Sequence, residues 1–102
     1  MPEWLTKPRR LLARYCPTDL PVVVRMVDRI KWWADTERRE DHYVVRLCRE
    51  MDEATMLDTL AHEWAHAMTW RKTKIDHGPA WGKAYSRCYR VVVDGWRPVV
   101  KE

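Results

Sequence analysis

The 102-residue chain has no phenylalanine, only three glycines and no Cys-x-x-Cys pair. It also lacks any apolar run near the ~20 residues needed to cross a bilayer. Each absence removes a class. Three cysteines (Cys16, Cys48 and Cys88), widely spaced and odd in number, exclude a zinc ribbon or a dithiol redox motif. Cys48 and Cys88 stand among apolar neighbours and are expected as buried free thiols. Scarce glycine beside 46% hydrophobic and 33% charged residues excludes a linker or disordered tail and indicates a folded domain. Its aromatic material comes from seven tryptophans and four tyrosines. The length predicts one domain over residues 1–102 with a single modest core. The opening MPEWLTKPRR has no secretory apolar stretch, so a cytoplasmic protein is expected. A net charge of +4 eases approach to nucleic acid or acidic surfaces but is too small to assign either.

Residues 4–15 carry Leu5, Leu11, Leu12 and Tyr15 at helical spacing, with Pro8 near the start. CPTDLP reads as a loop. The β-branched run 22–30 predicts a strand, and 31–36 and 42–49 predict two more, joined as a hairpin by the polar segment 37–41. Asp52 is a helix N-cap, with Glu53 in the first turn. From Glu53 to about Trp70 there is no Gly or Pro, and Met56 or Leu57, Leu60, Ala61, Trp64 and Met68 recur at helical spacing. A second helix is predicted from Gly78-Pro79, buried through Trp81, Ala84, Tyr85, Cys88 and Val92, and ended by Asp94-Gly95.

The stretch HEWAH, residues 62–66, lies in the first of these long helices. At 100° per residue His62 and His66 fall about 40° apart, opposite the stripe of Leu57, Leu60, Trp64 and Met68, with Glu63 beside them. Two imidazoles one turn apart on a face of their own can reach one ion. Zinc takes nitrogen ligands at about 2.0–2.1 Å, and a catalytic site uses three protein ligands and a water. Glu63, next to His62, is then placed to take the water's proton and pass it to a leaving amine. After Glu63 the only glutamate is Glu102, so a ligand glutamate from a following helix is excluded. Thr69 and Lys72 occupy the Gly and His positions of the longer HExxHxxGxxH motif. His77 is left as the third ligand, with Asp76 and Asp94 as the other candidates. Extending the second helix back one turn puts His77 on its inward face. His42, in a strand and far upstream, is the spare.

LDTLAHEWAHAM followed by DHGPAWGKAY resembles the SprT-like zinc metallopeptidases, whose hallmark is HExxH and then a histidine, Gly, two residues and an aromatic. His62, Glu63 and His66 match the first part, and His77, Gly78 and Trp81 the second. The likeness covers about residues 43–93. It implies a small zincin-like (gluzincin-type) α+β domain: a short β-sheet packed against the HExxH helix, and a second, C-terminal helix supplying the third histidine. It implies a zinc metallopeptidase that hydrolyses peptide bonds, with Zn2+ on His62, His66 and His77 and Glu63 as general base and acid. The family includes Spartan, which degrades proteins crosslinked to DNA. By the same likeness the strand of Tyr43, Val44, Val45, Arg46 and Leu47 lines the cleft, where an extended peptide adds by backbone hydrogen bonds. Tyr85 or Tyr89 is a candidate donor to the oxyanion, although their spacing also suits packing. Many relatives carry a C-terminal zinc ribbon, but no cysteine pair follows residue 88 here.

Lys83, Arg87 and Arg90 share one stripe of the second helix, which reads first as its solvated face. With Arg71, Lys72 and Lys74 they form a candidate basic rim near the site for nucleic acid or acidic substrates. Trp32, Trp33, Trp70 and Trp96 read as core residues, not nucleobase platforms. The competing function is a non-catalytic module that keeps the fold, and with it zinc or a basic surface for nucleic acid or protein. Glu63 separates the two, because a purely structural site needs no acid beside the water position.

Overall fold

The computed structural model describes residues 2–28 and 33–97. A short 3-10 turn (Glu3–Leu5) leads into α1 (Thr6–Tyr15), followed by β1 (Val22–Val27), β2 (Ala34–Arg38), β3 (Tyr43–Cys48), α2 (Glu53–Thr69) and α3 (Pro79–Val92). The described residues thus form an α+β fold of three helices and a small three-stranded sheet. Pro8 sits in the first turn of α1, where a missing N–H breaks no helical bond.

Both long helices begin where local chemistry starts them. The Asp52 carboxylate accepts the Thr55 N–H at 2.7 Å, capping α2. Pro79 opens α3 with Gly78 as its cap residue. At the far end of α3, Gly95 takes φ +73°, and the turn returns the Trp96 N–H to the Arg90 carbonyl at 2.9 Å.

The sheet order is β1-β3-β2: β1 runs parallel to β3, and β2 antiparallel to it. The hairpin expected upstream of α2 therefore exists, but its turn lies at residues 39–42, not 37–41. Glu37 and Arg38 continue the strand, paired with Val44 and Tyr43 of β3, and each meets an opposite charge: Glu37 meets Arg46 of β3 at 3.5 Å, and Arg38 meets Asp19 of the loop before β1 at 3.5 Å. Strand β1 stops at Val27, short of the predicted residue 30. The expected strand residues 29–32, Trp32 among them, lie outside the described residues. His42 belongs to the turn, where its ring pairs with Asp41 at 2.6 Å.

Tyr43, Val44, Val45, Leu47 and Cys48 are all buried, which suits the middle strand of the sheet. Helix α2 touches β2, β3 and α3, and α1 packs on α3. Leu60, Ala61 and Trp64 carry the inward stripe of α2 into a core shared with Leu5, Leu12, Val45, Leu47 and Val91. Each fully buried aliphatic side chain there contributes about 1.5–3 kcal/mol. The Trp64 indole N–H donates to the Cys16 carbonyl at 2.8 Å, tying α2 to the end of α1. All three cysteines are buried and unbridged. No described helix is long and apolar enough to cross a membrane.

Candidate metal centre

Helix α2 presents His62 and His66 one turn apart, away from its buried stripe, and the segment before α3 brings His77 over them. The three Nε2 atoms form a near-equilateral triangle: His62–His66 3.3 Å, His66–His77 3.1 Å and His77–His62 3.1 Å. Nitrogens bound tetrahedrally to zinc at about 2.0–2.1 Å stand about 3.3–3.4 Å apart. The triangle is within a few tenths of an ångström of that. A shared proton can join one pair of neutral imidazoles but leaves the third nitrogen without a partner. One cation satisfies all three, so the donor set fits a single zinc ion, and these residues can hold one.

Surrounding groups aim the rings. The Asp76 carboxylate lies 3.6 Å from His66 Nδ1 and 3.7 Å from His77 Nδ1, on the side of each ring away from the triangle. A carboxylate behind Nδ1 favours the tautomer that leaves Nε2 free as a ligand. Trp81 stacks or edges against all three imidazoles, with centroid separations of 4.7, 5.5 and 4.6 Å, and its indole N–H donates to the His62 carbonyl at 3.2 Å. Asp76→Ala is expected to weaken zinc binding about 10–100-fold with little change in the apo fold, measured by competition with a chromogenic chelator.

His77 reaches the triangle by a route that helical periodicity does not describe. It is not on a backward extension of α3 but in the turn before it, at φ +55°, the left-handed region a β-carbon disfavours. Strain of this kind collects at functional positions, where the surroundings over-determine it. Gly78 completes the turn, because a β-carbon there would lie 2.6 Å from Ile75 Cγ2.

Glu63 is buried at 7% exposure, yet its carboxylate lies 3.9 Å from His62 Nε2. The Thr36 hydroxyl, on β2, is 2.7 Å from Glu63 Oε1 and 3.0 Å from the Glu63 carbonyl, and so holds the carboxylate against the sheet edge. Burial pushes the Glu63 pKa up, and the Thr36 hydrogen bond opposes this in part. Burial likewise holds His62 below the usual imidazole range, helped by the neighbouring His77, and takes His66 down to about 4 with help from His62. At neutral pH His62 and His66 are therefore uncharged, as ligands must be.

A cleft of about 590 Å³ opens over the triangle, bounded by β2 on one side and by Trp70 and Asp76 on the other. A smaller cavity of about 260 Å³ adjoins it past His62 and Glu63, between Trp33 and Tyr85.

Several expectations need correction. Tyr43–Leu47 cannot accept an added strand: β3 is paired on both sides, its hydrogen-bonding edges taken by β1 and β2. Of the two edge strands, β1 and β2, it is β2 that stands beside the cleft, with Ala34, Asp35 and Thr36 on the cleft wall. Tyr85 borders the smaller cavity, its ring 5.9 Å from that of His62. Its hydroxyl donates to Asp58, and burial together with that carboxylate raises its pKa to about 12. Tyr89 lines neither cavity and packs on the core. Asp94 lies past α3 and lines neither cavity, whereas Asp76 stands behind the imidazoles, not among the converging nitrogens.

Among the described residues no Lys or Arg lines the metal cleft. Lys72, Lys83, Arg87 and Arg90 gather instead on the other side of α3, away from Trp81 and Tyr85, without Arg71 and Lys74. Trp33 and Trp70, expected in the core, are 50% and 42% exposed and stand at the cavities. Sequence reasoning missed Thr36, which no local pattern links to a residue 27 positions away, and the orienting role of Asp76, whose only signal is its place next to His77. Comparison with protein-family models, curated proteins and solved structures gave no match.

Proposed function

We propose that the chain is a zinc-dependent endopeptidase with a zincin-like, gluzincin-type core of the SprT-like kind. His62, His66 and His77 hold the ion, and Glu63 is general base and then general acid. The observation that carries this reading is the triangle of three Nε2 atoms at 3.1–3.3 Å with a buried carboxylate at its edge. Zinc, when bound, lowers the pKa of water and polarises a carbonyl.

The chain's own groups do the rest. An extended peptide lies along the β2 edge (Ala34–Arg38), held by backbone hydrogen bonds over the cleft. Glu63 accepts the proton of the attacking water and delivers it to the departing amine as the C–N bond breaks. Its raised pKa suits both halves of that exchange, since it holds a proton more readily than an exposed carboxylate. Thr36 keeps Oε1 in place while Oε2 faces the histidines. The Tyr85 hydroxyl is a donor for the oxyanion if it leaves Asp58 during turnover.

The test is metal content and hydrolysis on one preparation, made without a histidine tag or added metal. About one zinc per chain by plasma mass spectrometry is expected, together with cleavage of an unfolded protein substrate that 1,10-phenanthroline stops and added zinc restores. No zinc at purification and none on titration of the folded protein would reject the reading.

A further inference from the structure

The face of α3 turned away from the metal site carries a third cavity, a groove of about 590 Å³ between the C-terminal end of α2 and the turn after α3. Its floor is apolar, with Met68, Ala80 and Ala84. Its walls are four cations, Lys72, Lys83, Arg87 and Arg90, and the Trp96 ring. Among the described residues none of the four makes an ion pair and no acidic residue lines the groove.

Lys83, Arg87 and Arg90 follow i, i+4, i+7 spacing on α3, a row about 10 Å long. Lys72 faces them from the segment after α2. Trp96, expected in the core, is only partly buried against it; the ring is set by the Gly95 turn, and the guanidinium groups of Arg90 and Arg87 lie 4.1 and 5.4 Å from its centroid. Arg87 is fixed further by donating to the Tyr15 carbonyl at 2.7 Å. The two arginines are therefore pre-positioned against an aromatic surface, not left free in solvent.

Unpaired cations gathered around a concave surface call for an anion, and a row of this length calls for more than one anionic group. An aromatic ring stacked with arginine adds a platform that takes flat π-systems without regard to sequence. An acidic peptide would use the charges but not the ring. A single phosphate would use one or two cations and leave the rest of the row empty. We propose that this groove binds single-stranded nucleic acid, with successive phosphates on Lys72, Lys83, Arg87 and Arg90 and a base against Trp96. The assignment is independent of the metal site, from which α3 separates it.

The experiment is fluorescence anisotropy of the full chain with a labelled twelve-nucleotide oligothymidylate, its abasic counterpart and a duplex of the same length. Four phosphate contacts predict log affinity falling with log salt at a slope of about −2 to −3, or roughly 50-fold between 50 and 200 mM. Lys72→Ala with Lys83→Ala changes two exposed side chains that carry no hydrogen bond or ion pair among the described residues, so the fold should be kept, as circular dichroism can check. That pair should lower the slope by about 1.4. Arg71→Ala with Lys74→Ala, outside the groove, should leave it unchanged. The single strand should bind more tightly than the abasic strand and the duplex. The proposal is overturned by absence of binding at 50 mM salt, by equal effects of the groove and control pairs, or by equal affinity for the abasic strand. Zinc content and peptide hydrolysis should be the same in both double variants, so failure here leaves the metal reading standing, and the reverse.

Discussion

Glu63→Gln is expected to lower kcat/KM for peptide hydrolysis by about 10²–10⁴ while zinc content stays near that of the parent. Glutamine keeps the shape and the acceptor for Thr36 but cannot take a proton from water at neutral pH. The Nε2 triangle does not include Glu63, so metal binding has no reason to change. A second consequence sets this apart from simple damage. Burial raises the Glu63 pKa in the folded chain above its ordinary value near 4.5, so the ionised carboxylate opposes folding at neutral pH. A raised carboxyl pKa contributes stability below the ordinary value and loses it as pH rises through the folded one. The glutamine variant should thus melt a few degrees higher than the parent at pH 7 when both are metal-free, an advantage that shrinks towards pH 4. An inactive, zinc-loaded, stabilised variant is the signature of a general base. Hydrolysis that survives the substitution would remove Glu63 from the mechanism, and a zinc site with no activity in the parent would favour a binding module.

The parts of this fold that can be read from sequence are those set by neighbouring residues. Asp52 starts α2 by accepting the Thr55 N–H, Pro79 starts α3, and both signals act within one turn. The two faces of α2 follow from its 3.6-residue period, which separates His62 and His66 from Leu60 and Trp64. The sheet order has no such local cause. β3 enters between β1 and β2 although β2 precedes it in the chain, and that placement makes its Tyr43–Leu47 run central and already paired. A strand buried on both faces has an almost wholly apolar sequence, as YVVRLC has, and that composition argues for the sheet interior and against an open edge. The metal site shows the same division. His77 is picked out by elimination, but its path is not, because a left-handed residue followed by a glycine with no room for a β-carbon beside Ile75 is a turn, not a helical extension. Periodicity also lines up Lys83, Arg87 and Arg90 but cannot tell which side of α3 faces the cleft. That is decided by Trp81 and Tyr85, which go to the histidines and leave the cations on the opposite face.

His77→Ala is expected to weaken zinc binding about 10²–10³-fold, because it removes one of three converging nitrogens. Hydrolysis should fall to background at zinc levels that saturate the parent. His77→Gly should lose zinc to the same degree yet be more stable than His77→Ala by about 1 kcal/mol without metal, since φ +55° costs a residue with a β-carbon and not glycine. The comparison tests backbone and ligand separately: equal stabilities would mean the turn relaxes, and undiminished zinc binding in both would exclude His77 from the site. The histidines on α2 predict a pH window as well. Both have folded-state pKa values below the ordinary 6.5, His66 at about 4, so the folded metal-free chain takes up fewer protons than the unfolded chain between those values. Stability from these two groups is therefore complete above about pH 6.5 and lost as pH falls towards 4. The melting temperature of the apo parent should drop across that window, and His66→Gln should flatten the drop. Zinc should oppose it, since an ion on neutral imidazoles stabilises the same unprotonated state. A parent whose acid unfolding is unmoved by zinc would separate the imidazole triangle from any metal, whatever its geometry.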